Sequence, residues 1–169
     1  MARFRSFVLG VLITVLVLIV VAVVFTWAGL LDFRADQVPG PIETFFATHA
    51  IDASIARHAP HVISPLPATD ANLLDAMKFY TMNCALCHGT VTKQPSDVGR
   101  ALYPPAPQLI LQPLDDPEWH LFYAIKHGVR WTGMPAWGKV ATDEYIWKTS
   151  MFLSRVNQLP PAVNQAIGK

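Results

Sequence analysis

Two cysteines and a histidine stand together in the middle of the chain, as Cys84-Ala85-Leu86-Cys87-His88. Two thiols spaced this way on a helical turn reach the two vinyl groups of one porphyrin, and the histidine directly after them falls beneath the iron. The motif is typical of c-type haem attachment. We therefore predict that Cys84 and Cys87 form thioethers to one haem c and that His88 is the proximal iron ligand.

Two other chemistries use closely spaced cysteines. A thioredoxin-like redox pair needs a βαβ context, and no stretch of this sequence alternates convincingly as a strand. A structural zinc site needs two further ligands, for which His120 and His127 are nominal candidates. Neither alternative explains why a histidine follows Cys87 directly, so haem attachment is the favoured interpretation.

The second axial ligand of the iron must come from another part of the chain. Methionine is favoured, because a thioether paired with histidine raises the reduction potential and suits electron transfer. Of the five methionines, Met134 lies in an irregular loop between glycine and proline, and we predict that it is the distal ligand. Met77 and Met151 lie on predicted helices and are expected to fill the core. His127 is the main rival ligand.

The elements that carry these residues are predicted to be helices, at residues 71–85, 118–128 and 142–156, the last being the final helix. Long loops rich in glycine and proline join them, above all the loop from His88 to Pro113. Loops of this length are unusual in a small domain unless something else fills and orders the core. The predicted fold is all-α.

The N-terminal part of the chain is apolar. Residues 7–31 carry no charge, and about 20 apolar residues span a bilayer, so we predict a transmembrane helix there. Arg3 and Arg5 precede it, and positive charges mark the cytoplasmic side. Residues 1–6 are therefore expected in the cytoplasm and everything after Leu31 across the membrane. A cleaved secretory signal, the alternative, has an apolar region of only about 7–15 residues.

A proline-rich strap, residues 32–68, is predicted to join the span to a haem domain at residues 69–169. Within the strap, residues 42–59 lack proline, and Ile42 and Phe45 begin an apolar pattern at helical spacing. We predict a short amphipathic helix, whose apolar face needs cover from the haem domain, the membrane interface or a partner subunit.

Together the motifs resemble those of a membrane-anchored class I cytochrome c with one haem, similar to the cytochrome c subunits of cbb-type terminal oxidases. The resemblance covers about residues 70–156. It rests on the segments from Tyr80 to Gly89, from Pro107 to Leu109, from Gly133 to Trp137, and on the closing segment around Trp147 and Phe152. It implies the class I cytochrome c fold, with long loops around one covalent haem.

The resemblance also implies roles for further residues. In this family a proline carbonyl accepts the ring N–H of the proximal histidine, a role that falls to Pro107 here. Tyr80 is expected to pack near Phe152 on the last helix of the domain. Haem-packing roles fall to three residues, namely Tyr103, Leu109 and Trp137.

The expected function is one-electron transfer without catalysis. The expected partners are the membrane and donor and acceptor proteins, with a fixed subunit of a respiratory or photosynthetic complex favoured over an anchored shuttle. The expected location is a bacterial inner membrane, with the haem domain on the periplasmic side. No small-molecule substrate is expected, and a net charge of +1 argues against nucleic acid. The alternative is a catalytic or sensing haem protein, in which Met134 leaves the iron and peroxide or nitric oxide binds.

Overall fold

A computed structural model describes residues 2–167. Within this range it contains helices and no strands, which confirms the predicted all-α class. Residue 1 and residues 168–169, at the ends of the predicted cytoplasmic segment and haem domain, lie outside the described residues. The α-helices in the described range are α1 (Ala2–Trp27), α2 (Pro41–His58), α3 (Asp70–Asn83), α4 (Ala85–His88), α5 (Asp97–Arg100), α6 (Glu118–His127), α7 (Asp143–Ser154) and α8 (Pro161–Ile167).

The chain divides into two compact units, Met1–Arg34 and Ala35–Lys169. Helix α1 lies in the first unit. Between residues 2 and 167 it is the one helix long and apolar enough to cross a membrane, over Arg3–Trp27, and none of its most apolar stretch is buried inside the protein. The predicted span, residues 7–31, overlaps this helix, which begins earlier and ends before Gly29.

The core of the second unit forms where α3 crosses α7. Leu73, Ala76 and Tyr80 of α3 are fully buried, because the intervals of three and four residues place them on one helical face. The ring of Tyr80 lies 5.9 Å from that of Phe152 on α7, as the resemblance implies. Ala76 at this face is small enough for the two helices to approach closely.

Helix α6 completes this core. Its Phe122 stacks on Trp147 of α7, with ring centroids 4.0 Å apart and nearly parallel planes. Met151, predicted to fill the core, is 1% exposed. Met77 is partly buried and packs against the same cluster. Helices α3, α6 and α7 thus form a framework, and the loops between them carry the remaining predicted site residues.

Two predictions about helices were wrong. The helix predicted over residues 142–156 is not the final one, because α7 ends at Ser154 and the chain continues through a 3₁₀ turn, Val156–Gln158, into α8. Pro160 and Pro161 obscure α8 in the sequence, although proline suits the first turn of a helix. The loop predicted from His88 to Pro113 contains the short helix α5.

The strap contains the predicted helix, as α2. Its C-terminal half packs inside the second unit, where Ile55 and, directly after the helix, Ala59 are buried. His61, just beyond α2, stacks on Trp119 of α6 at a centroid distance of 4.0 Å. Residues 35–68 of the strap thus belong to the same compact unit as α3 to α8.

The N-terminal half of α2 differs from its C-terminal half. Ile42 and Phe45, which the spacing places on the apolar face, are 74% and 65% exposed. Glu43 accepts a hydrogen bond of 2.7 Å from the hydroxyl of Tyr103, and this bond raises the pKa of that hydroxyl. It ties α2 to the loop that leads to Pro107.

Candidate functional site

The two cysteines and His88 occupy one short helical turn. Cys84 ends α3 and immediately precedes α4, a helix of four residues that holds Cys87 and His88. Both cysteines are free thiols and half-buried. Burial, and then the proximity of Cys87, raise the pKa of the Cys84 thiol to about 12. The turn therefore presents two thiols and an imidazole from one short stretch of the chain.

The orientation of His88 is fixed by a backbone carbonyl. Its Nδ1 lies 2.8 Å from the carbonyl oxygen of Pro107. A carbonyl oxygen only accepts, so Nδ1 carries the proton and the lone pair is on Nε2. Burial lowers the pKa of His88, an effect that the bond to Pro107 partly opposes. The ring is thus neutral, with one nitrogen available as a metal ligand.

Helix α4 cannot satisfy its own last carbonyl groups, because so short a helix has no following turn. Distant residues donate to them instead. The backbone N–H of Leu109 donates to the His88 carbonyl at 3.1 Å. The Tyr80 hydroxyl lies 3.0 Å from the same oxygen and 2.8 Å from the Gly89 carbonyl. Burial raises the pKa of Tyr80, which keeps this hydroxyl protonated and able to donate.

The two preceding carbonyls of α4 are bonded from the loop that follows. The hydroxyl of Ser96 donates to the Leu86 carbonyl, and the side-chain amide of Gln108 donates to the Cys87 carbonyl at 3.1 Å. The same amide oxygen accepts from the backbone N–H of Ser96 at 2.6 Å. Sequence reasoning missed Ser96 and Gln108 as site residues, since a single polar side chain bonded to a distant backbone leaves no periodic pattern.

Helix α5 lies directly against α4. A Cβ atom added at Gly99 would stand 1.8 Å from the carbonyl oxygen of Cys87, so only glycine fits at this contact. Gly99 donates its N–H to the Ser96 hydroxyl at 2.8 Å, and its carbonyl accepts from the N–H of Ala106 at 2.8 Å. The close approach explains why this loop must contain glycine here.

The predicted distal ligand lies in a tight loop after α6. Gly128 ends α6 with φ +66°, and a Cβ atom there would stand 2.7 Å from the Met134 carbonyl oxygen. The N–H of Met134 donates to the Thr132 hydroxyl at 3.1 Å. The Met134 side chain is partly buried and packs against the core. A Cβ atom at Gly133 would stand 2.9 Å from Leu102, so this loop contacts the loop that leads to Pro107.

The other predicted site residues lie in different surroundings. Leu109 is buried in the core, and Trp137 packs edge-on against Phe79 with centroids 5.8 Å apart. The Tyr103 hydroxyl donates to Glu43 on α2. Haem-packing roles for these residues stay predictions.

The two other histidines named in the sequence analysis make different contacts. His127 is exposed and its ring lies 4.4 Å from that of Tyr123. His120 is buried, and its Nδ1 stands 3.4 Å from a carboxylate oxygen of Asp116. Across residues 2–167, no three His, Cys, Asp or Glu side chains converge to hold a metal ion. A zinc site built on the two cysteines therefore finds no ligand set in the described structure.

These residues fit a covalently bound haem c. The turn offers two thiols at the spacing that thioether attachment uses, and the bond to Pro107 selects the tautomer of the neutral His88 ring that has its lone pair on Nε2. A hydrogen bond donated by the non-ligating ring nitrogen fixes the orientation of a metal-binding imidazole and raises its basicity. Met134 supplies a partly buried thioether from a loop that touches the Pro107 loop.

The comparisons with known proteins agree with this chemistry. The family described as "Cytochrome C oxidase, cbb3-type, subunit III" matches residues 71–153. The matched segment runs from the first turn of α3 almost to the end of α7 and contains the cysteine motif and Met134. Searches of curated proteins and of solved structures found no match to this chain.

Gly99→Ala tests the contact between α5 and α4. The added methyl group collides with the Cys87 carbonyl, and overpacking of this kind costs about 1–3 kcal/mol or more. We expect a lower free energy of unfolding in denaturant titrations and a lower yield of covalently attached haem.

Gly40→Ala is the matched control for this substitution. A Cβ atom there meets nothing within 4 Å, and the loss of glycine at the start of α2 should cost less than about 1 kcal/mol. Equal stability and equal haem yield in both variants would show that α5 does not lie against the Cys87 carbonyl.

Proposed function

We propose that the chain carries single electrons through one haem c ligated by His88 and Met134, on the premise that residues 71–153 match the family of cbb3-type cytochrome c oxidase subunit III. The observation that carries the proposal is the 2.8 Å bond between Nδ1 of His88 and the Pro107 carbonyl. It orients an unprotonated ring nitrogen one residue after the second thiol. The c-type haem of this family supplies one-electron chemistry at its iron.

Each residue has a distinct task in this proposal. Cys84 and Cys87 hold the macrocycle covalently, so the cofactor cannot be lost during repeated turnover. His88 supplies a nitrogen ligand whose basicity is raised by its bond to Pro107. Met134 supplies a soft thioether, which favours the reduced state and raises the potential.

We further propose that α1 anchors this domain at the outer face of a bacterial inner membrane. The support is the length and apolar composition of Arg3–Trp27 together with Arg3 and Arg5 before its apolar residues. An anchor keeps the domain near membrane complexes, where its effective concentration is high. The near-neutral charge of the chain favours a fixed subunit of a redox complex over a shuttle guided by electrostatic attraction.

Cys84→Ser and Cys87→Ser test covalent attachment. Each variant removes one of the two thioethers, so we expect little or no holoprotein when haem staining follows denaturing electrophoresis. Ser150→Ala serves as the control, because its buried hydroxyl bonds within α7 and is remote in sequence from the motif. Normal haem staining in both cysteine variants would contradict the proposed haem c.

Met134→His and Met134→Ala test the distal ligand and separate an electron carrier from a catalytic haem protein. Histidine keeps six ligands but removes the thioether, so the reduction potential should fall by a substantial part of the range of about 0.8 V that axial ligands control. Alanine should open the iron to carbon monoxide, as visible spectra would show.

Met151→Leu is the control for both Met134 variants. It is a core substitution of similar volume, which should cost less than about 1.5 kcal/mol and leave the potential unchanged. If Met134→Ala kept the wild-type spectrum and potential, another residue would be the ligand. Carbon monoxide binding by the unmodified protein would instead favour the catalytic or sensing alternative.

A reporter fused after Lys169 tests the topology. A reporter that is active only outside the cytoplasm should be active in this fusion, because the positive residues before the apolar helix stay inside. A cytoplasmic reporter at the same position should be silent. The opposite pattern would contradict both the anchoring orientation and the proposed location of the haem domain.

A further inference from the structure

Gln108 lies at the centre of the bonds around the proximal side of the site. Its side-chain nitrogen donates to the Cys87 carbonyl at 3.1 Å and to the Ala106 carbonyl at 3.0 Å. Its side-chain oxygen accepts from the N–H of Ser96 at 2.6 Å. The partners fix which amide atom is which, because two are acceptors and one is a donor. Three segments of the chain therefore meet at this one amide.

The bond to Ala106 has a particular geometric consequence for Pro107. The pyrrolidine ring fixes φ of Pro107, which leaves ψ as the rotation that aims its carbonyl group. The side chain of Gln108 reaches back over Pro107 to the carbonyl of Ala106, so it links the peptide groups on both sides of the proline. Rotation about ψ would break this link.

The bond to Cys87 attaches the same amide to α4. One Gln108 amide thus bonds both to the peptide group before Pro107 and to the helix that carries His88. It fixes the Pro107 carbonyl relative to the His88 ring. We infer that Gln108 is a positioning residue, which aims the Pro107 carbonyl at Nδ1 of His88 and thereby sets the basicity of this iron ligand. This inference rests on the proposed role of His88.

The expected effect on the redox potential has a definite sign. A strong bond from Nδ1 to Pro107 makes the imidazole more basic, and a more basic ligand stabilises the more positively charged, oxidised iron. Loss of the Gln108 bonds should loosen the Pro107 carbonyl and weaken the bond at Nδ1. The reduction potential should therefore rise.

Gln108→Met tests this inference in the full-length holoprotein, because methionine has a similar length and no hydrogen-bonding amide. We expect a higher midpoint potential in a redox titration. We also expect the Nδ1 proton of His88, followed by NMR, to exchange with solvent about tenfold faster, as for the net loss of one hydrogen bond. The haem methyl resonances should shift, since they report the orientation of the axial imidazole.

Two control variants separate positioning from stability. Gln112→Met changes the same residue type on the same loop at an exposed position and should leave all three measurements unchanged. Ser150→Ala removes a buried hydroxyl that bonds to the Ile146 carbonyl within α7. It should lower the thermal stability while the potential and the exchange rate stay as in the unmodified protein.

The outcomes decide the inference. A Gln108→Met protein with lower stability but unchanged potential, exchange rate and methyl resonances would overturn it. If Gln108→Met gave no holoprotein, Gln108→Glu, which keeps the acceptor and loses both donations, would be measured by proton exchange. Failure of both variants to mature would show a folding requirement and would also overturn positioning. Absence of covalent haem from the unmodified chain would instead count against the proposed function.

Discussion

The carbonyl groups at the end of α4 impose the constraint on which the rest of the site depends. A helix of four residues leaves its last carbonyls without partners inside the helix. These carbonyls are half-buried, and each bond that they accept contributes about 0.5–1.5 kcal/mol. The donors must therefore come from elsewhere in the chain, and supplying them dictates where α3, α5 and the Pro107 loop lie.

Tyr80 shows how this constraint joins the core to the site. Its ring packs against Phe152 where α3 crosses α7, while its hydroxyl reaches the carbonyls of His88 and Gly89. A change in the crossing of the two helices would move the hydroxyl away from α4. The crossing of α3 and α7 thus controls the geometry of the turn that carries His88, the proposed proximal ligand.

The sequence predicted those features that arise from local patterns. The helical face of α3 follows from its apolar spacing, and the Thr69 hydroxyl, directly before the helix, accepts a hydrogen bond from the N–H of Asn72 at 3.3 Å. The cysteine motif predicts its chemistry from spacing alone. Single side chains bonded to distant backbone groups, such as Gln108, have no such pattern. The helical spacing also predicts that Phe45 is covered. In the described structure α2 buries Ile55 instead, because the contact with α6 decides which part of the helix is covered.

The two sides of the site are held in physically different ways. The proximal turn is bonded to residues 8 to 21 positions away, through Tyr80, Ser96 and Gln108. In the distal loop, hydrogen bonds join residues 129, 132 and 134 to one another. This loop also holds Trp131 at φ +60°, a conformation that costs a non-glycine residue free energy. Local bonds and backbone strain place such a loop at the low end of the stability range. We therefore expect the Met134 loop to open at lower free-energy cost than the turn that carries His88, where opening breaks bonds that also hold the fold together.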